Sequence, residues 1–123
     1  MTSVALEPGA VVLIDLPLHD PKGHEQEGKR PAIVVGIPQG PLRYPVVIAV
    51  PLTTQGGPWV TKNPNLYRHL PAGAGGIPQA SIVLLDQVRA LDVRRVNAYL
   101  GSLEPEIFTP IRNNLLQLFD ENK

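Results

Sequence analysis

The sequence contains no cysteine in its 123 residues. Disulfides and thiolate metal sites are therefore excluded, and the composition fits a reducing cytoplasm. It also lacks excess charge: 11 basic and 11 acidic residues leave a formal net charge of zero. A protein that coats nucleic acid through bulk charge is not expected, although a local basic groove is compatible with that balance. No apolar run is long enough to span a bilayer; Val46 to Val50 is typical of those present. The N-terminal MTSVALEPG has no basic region followed by an apolar one, so no signal peptide is expected. Repeats and low-complexity tracts are missing too. So are a phosphate-cradling GxxxxGK[ST], a GxSxG nucleophile elbow and a helix-turn-helix.

What is present fits a single domain over residues 1–123. The 14 prolines and 11 glycines are dispersed, which predicts many turns between short elements. VVLIDL (11–16), PAIVVGI (31–37), VVIAVPLT (46–53) and SIVLL (81–85) read as strands, and 96–100 as a short last one. Pro51 predicts an edge position or a bulge for the third strand, because proline cannot donate to a ladder. Residues 59–70 predict a short strand at best, and PAGAGGIPQ (71–79) a flexible loop. Near the C-terminus Ile107, Ile111, Leu115 and Leu118 recur at helical spacing. Thr109 and Pro110 form a cap and first residue, which predicts a turn over 104–108 and a helix over 109–119. Short strands followed by one helix predict a mainly β fold: a small barrel or rolled sheet with the helix packed on it.

Five polar positions adjoin these apolar strands: His24, Glu25, Arg30, Thr53 and Asp86. Arginine offers a planar, permanently charged fork that matches phosphate oxygens. A threonine hydroxyl donates to the same oxygens, and a carboxylate or histidine moves a proton. The set suits cleavage of a phosphodiester by an internal hydroxyl, which needs a base, an acid and charge stabilisation. Each residue also has a plainer reading. Arg30 can be a surface ion-pair partner, Thr53 a turn residue and His24 a solvated loop residue. Asp86 can pair with Arg89 or simply end a strand. His19, His24 and Glu25 match no strong zinc spacing.

Taken in order, "VVLIDLP", "GHEQEGKRPAIVV", "VVIAVPLTTQ", "SIVLLDQVRALDVRRV" and "LGSLEPE" resemble the MazF/PemK family, the toxin half of bacterial toxin–antitoxin pairs. The resemblance spans most of the chain, apart from the first residues and the 59–79 region. It implies an SH3-like β-barrel with a C-terminal α-helix, a homodimer and a cytoplasmic protein without cofactor or metal. It further implies a sequence-specific endoribonuclease that cuts single-stranded RNA, with a cognate antitoxin as partner. The family's arginine and threonine fall on Arg30 and Thr53, and its loop glutamate on Glu25. The PemK-branch histidine and aspartate fall on His24 and Asp86. Gln26, Lys29, Thr54, Gln55 and Gln87 flank these positions and are expected to contact RNA. One departure stands out: where the PemK branch has an arginine two residues before the aspartate, this chain has Leu84. The acid role of that arginine falls to Arg30 or His24. A gyrase-binding toxin of the CcdB kind, which does no chemistry, is disfavoured because the only tryptophan, Trp59, lies far from the C-terminus. An inactive binding homologue is disfavoured by the intact Arg30 and Thr53.

Overall fold

The computed structural model describes residues 6–17, 23 and 28–120. His24, Glu25 and Gln26, and with them half of the expected loop chemistry, lie outside these residues.

The strands are β1 (Ala10–Leu16), β2 (Gly28–Gly36), β3 (Val46–Thr53), β4 (Tyr67–Leu70), β5 (Ser81–Leu84), β6 (Arg89–Asp92) and β7 (Val96–Ser102). A short helix α1 (Pro58–Lys62) precedes β4, and α2 (Pro105–Gln117) ends the chain. All strand pairs are antiparallel, and the sheet runs β4-β5-β3-β2-β1-β7, with β6 also on β3. The fold is mainly β with a C-terminal helix, as expected. The sheet wraps in barrel fashion without closing: among the described residues, β4 and β7 do not pair with each other.

The apolar runs of β1, β2 and β3 do not alternate because both of their faces are buried. On one face Val11, Ile33, Val50 and Leu52 pack with Leu85, Ile111 and Leu115. On the other, Val12, Ile14, Ala32, Val34 and Ala49 pack with Val47 and Leu91. β3 is the spine of this arrangement. β2 lies along one edge, while the opposite edge carries β6 at Val46–Ala49 and β5 at Leu52–Thr53. The expected edge or bulge at Pro51 therefore gives way to a central strand. Pro51 sits in the gap where one partner hands over to the next, so its missing N–H interrupts neither ladder.

The C-terminal helix starts earlier than its sequence suggested. Glu104 is the N-cap and Pro105 the first helical residue, whereas Pro110 lies inside. The proline that opens the helix is thus the one that needs no N–H. Pro110 removes one later bond, which leaves the carbonyl of exposed Glu106 to solvent. Ile111 and Leu115 are buried, while Leu118 and Phe119 are 40% and 68% exposed, so the apolar stripe docks only over its first three members.

Residues 59–70 hold more structure than the single weak strand expected, namely most of α1 and all of β4. The 71–79 stretch is no loose loop either. It forms a 3₁₀ turn at Ala74–Gly76, and Ile77 is 2% exposed. A Cβ at Gly76 would strike the Leu100 carbonyl oxygen, and one at Gly75 the Val11 side chain. The reciprocal contact is as tight: a Cβ at Gly101 would lie 2.7 Å from the Gly75 carbonyl oxygen. Glycine serves here as a means of close backbone approach.

Candidate active site

β3 ends at Thr53, and the strand's alternation decides what Thr53 does. Leu52 points into the helix-side core, so Thr53 faces the other way. It is one of two buried polar residues among those described, at 8% exposure. Its Oγ1 accepts a hydrogen bond from the Gln55 amide at 3.2 Å, a short turn that fixes the hydroxyl as the chain leaves the strand.

Arg30 lies two residues beyond the pair Ala32↔Pro51. Continuing that antiparallel register past the last paired residues would bring Arg30 to the level of Thr53, on the same face. On its other side Arg30 pairs with Ile14. Lys29 pairs with Asp15 and is exposed.

Beyond Thr53 opens a cleft of about 380 Å³, lined by Thr53, Gln55, Gly56, Trp59, Tyr67, Leu84, Asp86 and Gln87. Asp86 and Gln87 arrive on a 3₁₀ turn, Leu85–Gln87, that follows β5 directly. Asp86 does not pair with Arg89: its Oδ2 accepts a 2.6 Å hydrogen bond from the Tyr67 hydroxyl. This bond holds the Tyr67 phenol above its ordinary range, and desolvation and the Asp86 charge push the same way. The ring of Trp59 meets that of Tyr67 edge-on, with centroids 4.8 Å apart and planes at 81°.

The cleft therefore gathers Thr53, Gln55, Asp86 and Gln87 from the expected set. Arg30, Lys29 and Thr54 are not among the described residues lining it, although Arg30 is aligned with Thr53 by register. Tyr67 and Trp59 are the lining residues that the sequence did not suggest. Tyr67 stands 19 residues from Asp86 and meets it only through β4–β5 pairing, which no local motif announces. Among the described residues, no three His, Cys, Asp or Glu side chains gather as a metal site.

Residues 7–119 match the family model of the PemK-like, MazF-like toxins of type II toxin–antitoxin systems. The chain belongs to that family. Solved structures agree with the match. MazF from Deinococcus radiodurans is 25% identical with a TM-score of 0.71, over 95% of this chain and 98% of that one. A MazE–MazF structure from the same organism is also 25% identical, with a TM-score of 0.65 over 95% and 97% of the two chains. An endoribonuclease in complex with its cognate antitoxin, from a mycobacterial species, shares the fold at 22% identity and a TM-score of 0.67, over 94% and 95%. By sequence, no curated protein matches. Among the described residues, no helix of this MazF-like chain is long and apolar enough to cross a membrane.

Proposed function

We propose that this MazF/PemK-family toxin is an endoribonuclease that cuts single-stranded RNA without a metal. The ribose 2′-hydroxyl attacks the adjacent phosphorus and the P–O5′ bond breaks. The products are a 2′,3′-cyclic phosphate and a 5′-hydroxyl end. Thr53, buried at the head of an open cleft with Arg30 opposite in the extended β2–β3 register, carries this reading. The Arg30 guanidinium and the Thr53 hydroxyl, carried on one face, stabilise the charge that develops on the phosphate oxygens. Glu25, with His24, takes the 2′-hydroxyl proton, and Arg30 or His24 assists the departing 5′-oxygen. Asp86 holds the ribose by accepting a hydrogen bond in the cleft. Gln55 and Gln87 contact flanking nucleotides from the cleft wall, with Gln26, Lys29 and Thr54 further out.

The same reading makes a cognate antitoxin the protein partner, a homodimer the working form and the cytoplasm the place of action. The MazE–MazF complexes of structurally similar proteins support the antitoxin.

The test is incubation of the purified protein with a long single-stranded RNA, with and without EDTA, followed by mapping of 5′ ends. EDTA-resistant cuts at a recurring short sequence, leaving 5′-hydroxyls, are expected. Arg30→Ala should slow them by roughly 10²–10³-fold, the usual loss for one charge-stabilising donor. Intact RNA, or an Arg30→Ala protein that cuts at the parental rate, overturns the assignment.

A further inference from the structure

We propose that Tyr67 is a positioning residue of this site, acting through Asp86. The inference rests on the ribonuclease reading and goes beyond it, because it assigns work to a residue outside the family-derived set.

Asp86 stands on a one-turn 3₁₀ segment and is exposed, so nothing in its own backbone fixes the carboxylate. Along β5, the residues that share a face with Thr53 are Ile82 and Leu84, both apolar and packed with Val60 and Tyr67. β5 thus supplies no polar neighbour to hold the carboxylate from below. The holding group comes from β4. Tyr67 lies opposite Leu84 in the β4–β5 register, and its phenol reaches over that leucine to donate to Asp86 Oδ2. Among the described residues Oδ1 has no hydrogen-bond partner, so one carboxylate oxygen is anchored and the other is open to a ligand.

Two further contacts show that the pair is built into the fold. The Leu85 amide donates to the Leu66 carbonyl at 3.1 Å. That backbone bond ties together the residues immediately before Asp86 and before Tyr67. Trp59 then packs edge-on against the Tyr67 ring and limits where the phenol can swing. Backbone clamp, aromatic contact and short hydrogen bond together leave the Asp86 carboxylate little freedom, so it is already oriented for the reacting geometry in the bound complex. Tyr67 keeps its proton throughout: it donates to Asp86 and takes no part in bond making or breaking.

The test is a double-mutant cycle of Tyr67→Phe and Asp86→Ala, with cleavage and binding read separately. Trp59 is the only tryptophan and lines the cleft, so its fluorescence reports binding. The probe is a single-stranded RNA with a 2′-deoxy sugar at the mapped cut site, which binds but cannot react. Tyr67→Phe keeps the ring against Trp59, and its thermal melt verifies folding. The expected result is a fall in kcat of about 10- to 100-fold, the range for a hydrogen bond to a charged group. The dissociation constant for the deoxy probe should stay unchanged. In the Asp86→Ala background, where the acceptor is gone, Tyr67→Phe should cost nothing more. An equal loss in that background shows that Tyr67 acts on its own and overturns the proposal, as does parental kcat in Tyr67→Phe. Weakened probe binding at parental kcat also overturns it, since the ring would then be a binding surface. A wild-type protein that binds the unmodified strand without cutting it overturns the ribonuclease reading itself, a failure visible before any variant is made.

Discussion

Two stretches of small residues flank the α1–β4 segment, and they do opposite work. TQGGP, residues 54–58, follows Thr53, and its Gly56 lines the cleft. PAGAGGIPQ, residues 71–79, follows β4 and is wedged against β7 and β1. Composition reads the two alike. The difference lies in what the missing Cβ would meet: side chains alone at Gly56 and Gly57, but the Leu100 backbone at Gly76. Glycine is spent on access in the first stretch and on contact in the second.

The largest test of that contrast is Gly76→Ala. Gly76 has φ +83° and a backbone carbonyl where its Cβ would go, so neither the residue nor its neighbour can yield cheaply. A loss of about 3 kcal/mol or more is expected from positive-φ strain and overpacking together, read as a fall in the denaturant midpoint. Ile77→Ala comes next. It empties a fully buried position in the helix-side core and should cost about 2–5 kcal/mol. Its folded fraction should still cut RNA at the parental rate, because Ile77 does not line the cleft. At the small end, Gly57→Ala tests the access side. Gly57 has an extended backbone that any residue adopts, and its Cβ would come within 2.6 Å of Trp59 Nε1. The contact is with a partly exposed side chain and not with backbone, so the loss of stability should be smaller than for Gly76→Ala. The tryptophan emission should shift, and binding of the deoxy RNA should weaken. A Gly57→Ala protein as damaged as Gly76→Ala would erase the distinction.

The same contrast explains what could be read from the sequence. β1, β2 and β3 were legible because long β-branched apolar runs leave few alternatives. Arg30 and Thr53 stand out as candidates because one precedes and the other ends such a run. The helix was legible in kind but not in its start: Pro105 and Pro110 both fit a first position, and only packing of Ile107 against the core decides for the earlier one. The packing of the 71–79 stretch is not legible, because a tight backbone contact leaves the same glycine signature as a loose loop. Tyr67 was invisible because its role depends on a cross-strand register, which is a tertiary fact. The placement of Thr53 beside Asp86 was equally hidden. Each could be singled out alone, but their shared cleft needs β5 to lie next to the end of β3.

The end of β3 has one more consequence. Leu52 and Thr53 are neighbours in the chain, yet one lies in the helix-side core and the other at the head of the cleft. A slip of β3 by one residue would exchange them, placing a hydroxyl among Ile111 and Leu115 and a leucine at the head of the cleft. Misfolding and loss of the Thr53 hydroxyl from the cleft are thus a single event. The register of β3 therefore sets the core and the cleft together, and neither can be changed alone.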